Sequence, residues 1–174
     1  MKILRGYLKG VDLFNEWAAK SFAWLVVILV IGMVYSTIMR YGFGSAPLWT
    51  FDFTYYLYAA FFMMGAAYTL RLKAHVRVDV FYRMLSPRWR GIVDIFLSLI
   101  CFFPLFFAVL YFSMDNVSHS WRVGERAVES VIRVPIYPLK TIIPIVCVMM
   151  LLQGTAEFIR DLFLVITRRE LQWK

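Results

Sequence analysis

The chain has 174 residues, of which 61% are hydrophobic, and its formal net charge is +8 at pH 7. A soluble domain needs more polar surface than this composition supplies, so an ordinary soluble fold is excluded. The basic residues lie in loops between uncharged runs, where they orient the chain and contact anionic membrane lipid, so nucleic acid is not expected as a partner. The sequence therefore predicts an all-α integral membrane protein.

The first predicted element is an amphipathic helix over residues 3–18. Apolar residues recur there at helical spacing, with Lys9, Asp12 and Glu16 between them. One apolar and one charged face are typical of a helix that lies in the cytoplasmic membrane interface. The alternative is that this segment simply extends the first span into the cytosol.

Four long uncharged runs follow, and they predict four transmembrane helices. Basic residues are concentrated before the first run, between the second and third, and after the fourth, so both termini are predicted to be cytoplasmic. The whole chain, 1–174, is then a single membrane domain. The predicted spans are 20–40, 52–72, 92–114 and 138–160, and the predicted outside segment is 115–137.

The turn between the first two spans carries Arg40, Trp49 and Asp52. Trp49 is the aromatic residue expected at a membrane interface. Arg40 either extends its long side chain to the outer headgroups or forms an ion pair with Asp52 across the turn.

Small residues share one face of the second predicted span. Ala59 and Ala60 recur seven positions later as Ala66 and Ala67, beside Gly65. Small side chains allow another helix to approach closely, so this face is predicted to pack against a helix.

The outside segment carries three arginines, Arg122, Arg126 and Arg133. The spacing of Arg126, Glu129 and Arg133 matches neighbouring positions on a helix, which predicts a short surface helix. Such a helix is either merely solvated or a docking surface for a soluble partner.

The fourth uncharged run, between Lys140 and Glu157, is slightly short for a full crossing. Either Lys140 reaches the outer headgroups or the bilayer thins locally. No run contains an acid, a base or a histidine, whereas membrane carriers and catalysts normally place ionisable groups at mid-depth. We therefore expect no enzyme activity, no cofactor and no metal site, and a role in supporting another protein.

Three blocks of residues carry a family resemblance. They are Arg40-Tyr41-x-Phe43 with Pro47, Trp49 and Asp52; then Gly65-Ala66-Ala67 with Arg71 and His75-Val76-x-Val78-Asp79; then Gly124-Glu125, Glu129-Ser130, Pro135, Pro138, Lys140, Pro144 and Gln153. In this order, and among four spans, they resemble the Q-type, four-helix small membrane subunit of tripartite ATP-independent periplasmic (TRAP) transporters. One departure is Asp52, which stands alone where many members have two acids in a row.

The resemblance implies a heteromeric, sodium-coupled importer of organic acids in the bacterial inner membrane. A periplasmic substrate-binding protein would deliver the acid to a large membrane subunit that carries the substrate and sodium sites. This multi-pass chain would then be a non-catalytic scaffold subunit.

Two groups of residues are expected to contact those partners or to support the contact. The residues expected to help dock the periplasmic protein are Arg40, Trp49, Asp52, Arg122, Arg126 and Arg133. Those expected to fix the cytoplasmic loop or hold the large subunit are His75, Arg77 and Asp79.

The alternative function is a four-helix membrane anchor of a redox enzyme complex. A haem-bearing anchor needs histidines that face one another, but His75 and His119 fall on opposite sides of the membrane in the predicted topology. Lone histidines at such positions are more often ordinary interface residues.

Overall fold

The computed structural model describes residues 2–45, 47–72, 87–128, 130 and 132–167. These residues confirm the all-α class, since they form six α-helices, one short π-helical segment and no strand. The elements are α1 (Lys2–Ala23), α2 (Leu25–Gly42), α3 (Trp49–Arg71), α4 (Pro87–Leu97), the π-helical segment (Ser98–Phe102), α5 (Phe103–Val123) and α6 (Tyr137–Thr167).

Three helical stretches in the described part of the chain are long and apolar enough to cross a membrane: Gly6–Gly42, Trp89–Val123 and Tyr137–Ile166. The 23 residues of α3 span about 35 Å, which is also sufficient for a crossing. However, α3 is less apolar than the other three because it contains several tyrosines, threonines and Asp52. The count of four spans, and the cytoplasmic placement of both termini, stay predictions.

The long helices lie side by side in an open row. Helix α2 packs on α3, α3 packs on α6, and α6 packs on α4 and α5. Nearly half of the most apolar stretch of α6 is buried inside the chain, whereas that of α4–α5 is unburied and that of α1–α2 almost so. The two ends of the row therefore present apolar faces that lipid or another protein must cover.

The core lies where α1, α3 and α6 meet. Its buried members are Ala18, Met64, Ala67, Val146, Met149 and Met150. Of the small residues on α3, Ala67 is fully buried and Ala66 packs against this core, while Ala59 and Ala60 are half-buried. A Cβ added to Gly65 would meet nothing within 4 Å, so Gly65 is not at a close helix contact.

A close contact is made instead at Gly154 of α6. A Cβ at Gly154 would lie 2.3 Å from Cε1 of Phe102, so only glycine allows this ring to rest on α6. Phe102 ends the π-helical segment, two residues before Pro104. Proline cannot donate the regular hydrogen bond of a helix, and the wider π-helical turn lies directly before it.

The region between α5 and α6 differs from the sequence-based expectation. Helix α5 continues past the predicted end of the span at residue 114 and stops at Gly124, whose φ of 59° closes the helix in the left-handed conformation. In the described residues of 125–136, the chain folds back as a short hairpin-like loop, called here the outer loop. Its backbone pairs Ala127 N–H with Val134 O at 2.9 Å and Ile136 N–H with Glu125 O at 3.0 Å.

The short surface helix predicted from the spacing of Arg126 and Arg133 is therefore wrong. Charge pairs at helical spacing contribute only about 0.2–0.5 kcal/mol each. Pro135 disfavours helical geometry at the residue before it, and Arg126 forms an antiparallel bridge with Pro135 instead.

Candidate partner-binding surface

The outer loop is fastened to the first half of α3. The hydroxyl of Ser130 donates a hydrogen bond to Oδ2 of Asp52 at 2.6 Å, and the hydroxyl of Tyr56 donates to the carbonyl oxygen of Pro135. Asp52 is only 7% exposed, so its carboxylate holds the loop in place and offers little surface to a docking protein. It was grouped with the docking residues from sequence alone.

The three arginines of the outside segment are all exposed. Arg122 donates to the hydroxyl of Ser118 at 3.0 Å within its own helix, whereas Arg126 and Arg133 lie on the outer loop. Val128, on the same loop, is 98% exposed. The loop thus presents positive charge together with an apolar side chain.

Arg133 is held in an unusual backbone conformation. Its φ of 54° lies in the left-handed region, which costs an L-residue roughly 1–2 kcal/mol. Its N–H donates to the carbonyl oxygen of Ser130 at 3.2 Å, so the turn starts at the residue that Asp52 holds. The position of the Arg133 side chain therefore depends on the link between the loop and α3.

Trp49 and Arg40 lie at the turn between α2 and α3. The ring of Trp49 stacks on Tyr35, with centroids 6.0 Å apart, and meets the ring of Phe53 edge-on at 5.7 Å. Arg40 is exposed and lines a cavity of about 640 Å³ together with Asp52. The two charges form no ion pair with each other, so the predicted pair across the turn is not made.

Lys140, at the start of α6, is tied to the outer loop. Its Nζ lies 2.6 Å from Oε2 of Glu125 and donates to Oδ1 of Asn116 at 3.2 Å. The hydrogen bond from Lys140, followed by that from Ser120, lowers the pKa of Glu125 below its ordinary value. Lys140 thus finds its partners within the protein, which neither alternative from the sequence anticipated.

A buried polar network between α1 and α6, away from the outer loop, was not predicted from the sequence. Nδ2 of Asn15 donates to Oε1 of Gln153 at 2.7 Å, and both side chains are fully buried. Nε2 of Gln153 in turn donates to Oδ1 of Asp12 at 3.1 Å. The amide of Gln153 inside an apolar run could have predicted this network, because a buried polar side chain requires a hydrogen-bond partner.

Ion pairs extend this network to α3 and along α6. Arg160 pairs with Asp12 at 2.5 Å and with Glu157, while Arg71 pairs with Glu16 at 2.7 Å. Both arginines are partly shielded from solvent, with side-chain exposures of 18% and 27%. The network therefore links α1 to the C-terminal end of α3 and the C-terminal half of α6.

One face of α1 buries Asn15 together with Leu8 and Ala18, while other apolar side chains of the helix are exposed. Leu13 and Trp17 are 69% and 67% exposed, whereas the Asn15 side chain between them is buried. Tyr7 and Asn15 are about 12 Å apart along α1, yet they bond Thr155 and Gln153 on α6, so α1 crosses α6 at a large angle. The amphipathic helix is present, and its place in the membrane interface stays a prediction.

The three residues expected in a cytoplasmic loop, His75, Arg77 and Asp79, lie outside the described residues. Within the described ranges, no group of three or more His, Cys, Asp or Glu side chains could hold a metal ion. The described residues thus form a polar surface around the outer loop and a separate network of paired side chains around α1.

Comparison with known families gives one match. A family model described as "Tripartite ATP-independent periplasmic transporters, DctQ component" matches residues 29–164. No curated protein matches the sequence significantly. The matched range begins within α2 and ends within α6, so it includes the outer loop and leaves α1 outside.

Proposed function

The chain belongs to the DctQ family, the small permease component of tripartite ATP-independent periplasmic transporters, and we propose that it is the non-catalytic scaffold of a sodium-coupled importer for organic acids. Membership of a tripartite system means that the chain works with partner subunits. In this proposal the large membrane subunit carries the substrate and sodium sites. The periplasmic binding protein delivers the acid.

The observation that carries the scaffold role is the open row of helices. Side chains of α2 and α5 such as Ile31, Val34, Phe107 and Phe112 are at least half exposed. Between helices in a membrane, close packing drives association, because lipid tails are as apolar as the side chains. A row of helices with two unburied apolar faces can pack one face against a larger membrane subunit. Lipid then covers the other face.

The outer surface supports a docking role for the binding protein. Arg40, Trp49, Arg122, Arg126 and Arg133 are exposed there, and Asp52 serves by holding the outer loop on α3. Exposed positive charge steers a negatively charged partner towards an interface and raises the association rate. On the cytoplasmic side, His75, Arg77 and Asp79 are proposed to fix the loop or to hold the large subunit.

The membrane topology is part of the same proposal. In this topology the chain crosses the bacterial inner membrane four times and α3 is the second span. The Asp52–Ser130 link then lies on the periplasmic side, and the Arg71–Glu16 pair lies on the cytoplasmic side. The basic residues that follow α3 support this orientation, since positive charge stays on the cytoplasmic side. The family match gives no support to the alternative of a redox anchor, which predicts a bound chromophore and a visible absorption band.

Reconstitution tests the proposed function. Proteoliposomes would contain this chain alone, the large subunit alone, or both, each with the binding protein and a labelled organic acid outside. We expect uptake only with both membrane subunits and only with an inward sodium gradient. Robust uptake by this chain alone would overturn the scaffold role, and unchanged uptake after sodium is replaced by potassium would overturn the coupling.

A further inference from the structure

The cavity between the outer ends of α2 and α3 combines a base, an acid and hydroxyl groups. It has a volume of about 640 Å³, within the range typical of small-molecule sites. Its polar lining comes from Ser36, Thr37, Arg40, Tyr41, Thr50, Asp52 and Thr54. Of these residues, only Arg40 and Asp52 take part in the proposed docking surface.

Two features of the cavity wall favour an anion. Oγ1 of Thr50 is buried, the residue is only 3% exposed, and this oxygen has no hydrogen-bond partner among the described residues. Helix α3 begins at the same place, and Leu48 at its cap supplies no side-chain acceptor for the first-turn N–H groups. A helix N-terminus carries a partial positive charge of about half a unit, which favours an anion there.

The cavity lining contains one positive and one negative side chain. The guanidinium of Arg40 and the carboxylate of Asp52 both line the space but do not pair with each other. Asp52 keeps one oxygen on Ser130 at 2.6 Å. A simple anion would be attracted by Arg40 and repelled by Asp52, whereas a zwitterion would satisfy both.

The depth of the cavity adds an apolar requirement. Met33 and Arg40, which line it from α2, are about 10 Å apart along the helix axis. Leu48 and Phe51 line the same cavity and are 61% and 66% exposed. A ligand that reaches from Arg40 to Met33 therefore has a charged end and an apolar end.

We propose that this cavity binds a phospholipid of the outer leaflet with a phosphoethanolamine headgroup. The phosphate accepts hydrogen bonds from Arg40, from the hydroxyl of Thr50 and from the N-terminus of α3. The headgroup ammonium donates to Asp52. The acyl chains run along Met33 and Phe51. This inference concerns the chain itself and does not depend on the proposed transport role.

Native mass spectrometry of the purified full chain tests the proposal. The probes are phosphatidylethanolamine, phosphatidylglycerol with the same acyl chains, and inorganic phosphate. We expect preferential retention of phosphatidylethanolamine. Arg40→Gln should lower this retention by about tenfold or more, the usual effect of removing a charge-assisted hydrogen bond. Arg122→Gln removes a charge on the same side of the membrane and should leave retention unchanged.

Asp52→Asn tests whether the cavity distinguishes one lipid headgroup from another. Asparagine still accepts the hydrogen bond from Ser130 but carries no charge, so the preference for phosphatidylethanolamine over phosphatidylglycerol should disappear. Circular dichroism would establish that each variant is folded, and Arg40→Lys would separate charge from the forked geometry of the guanidinium. Equal retention of both lipids by the wild type would overturn the proposal and indicate ordinary annular lipid. So would equal retention by wild type and Arg40→Gln, or displacement of the lipid by inorganic phosphate.

Discussion

Asn15 of α1 and Gln153 of α6 are 138 positions apart, and their side chains form a fully buried hydrogen bond of 2.7 Å. Oδ1 of Asn15 has no partner among the described residues, so Asn15 relies on this one bond. Since α1 lies outside the range matched by the family, this contact fixes a helix that the family pattern does not include. The docking of α1 thus combines inward-facing polar side chains with the buried apolar side chains of Leu8 and Ala18.

Removing that bond should destabilise the protein. In Asn15→Leu, Oε1 of Gln153 stays buried and loses the N–H donor that Asn15 supplied, at a cost of about 1–3 kcal/mol. We expect thermal unfolding in detergent, followed by circular dichroism, to begin several degrees lower. Leu13→Ala, at a 69% exposed position of the same helix, should have little effect. Equal melting temperatures for Asn15→Leu and wild type would contradict this role.

Gly154 should tolerate no side chain, whereas Gly65 should. A Cβ at Gly154 would lie 2.3 Å from Phe102, and that ring is held by its neighbours Phe103 and Phe106. Overpacking of this kind typically costs about 1–3 kcal/mol, so Gly154→Ala should lower the melting temperature.

The matched control is Gly65→Ala, where nothing lies within 4 Å. It should be neutral or slightly stabilising, because alanine favours a helix more than glycine does. Phe102→Leu combined with Gly154→Ala should recover part of the loss. A stable Gly154→Ala variant would mean that Phe102 moves freely.

The Glu125–Lys140 pair should make the outer loop sensitive to acid. The pKa of Glu125 is lowered in the folded state by Lys140 and Ser120, so the unfolded chain binds the proton more readily. The stabilisation is complete above the ordinary pKa of a glutamate and is lost as the pH falls through the folded-state value. Hydrogen exchange in the outer loop should therefore be faster at acidic than at neutral pH, after correction for the intrinsic rate.

Lys140→Gln provides the control for this pH effect. It removes the largest cause of the lowered pKa, so the corrected exchange of the outer loop should depend less on pH. The same dependence in wild type and Lys140→Gln would show that another group is responsible.

Asp52 should position the outer loop. In Asp52→Ala, Ser130 loses its charged acceptor, and the usual value of such a bond, about 1.5–3 kcal/mol, corresponds to at least tenfold faster local opening. Hydrogen exchange should rise in the outer loop, while the helices behave as in wild type. Asp115→Ala, on α5, should leave loop exchange unchanged. Unaltered loop exchange in Asp52→Ala would contradict the positioning role.

Charge reversal on the outer surface should weaken docking of the binding protein without weakening assembly of the membrane subunits. Arg126→Glu and Arg133→Glu should each lower uptake, most strongly at low salt, because exposed charges steer association over only about 8 Å at physiological ionic strength. The yield of the membrane complex should be unchanged. Lys9→Glu makes the same charge change on α1 and should leave uptake intact; unaltered uptake in both arginine variants would mean that the loop is only solvated.

The sequence determined the class of the protein and its family. Long uncharged runs and basic loops follow from the cost of placing single residues at a given membrane depth, which does not require knowledge of contacts. The family pattern was likewise recognisable from the order of its residues: Arg40, Trp49, the small residues of α3, and the later glycine and prolines. Helix propensity was less informative where it was weak. In the outer loop, the spacing of charges predicted a helix, but Pro135 and the backbone pairing determine a different structure.

Only the tertiary structure decided which polar residues face inwards and what they hold. Asp52 looked like a surface residue but is buried against Ser130, 78 positions away. Gln153 looked like an isolated amide but joins Asn15 and Asp12. Such pairings depend on how whole helices cross, because each bond is worth little until packing has brought both partners out of the solvent. Sequence periodicity records which face of a helix is apolar, and only the fold shows which element that face meets.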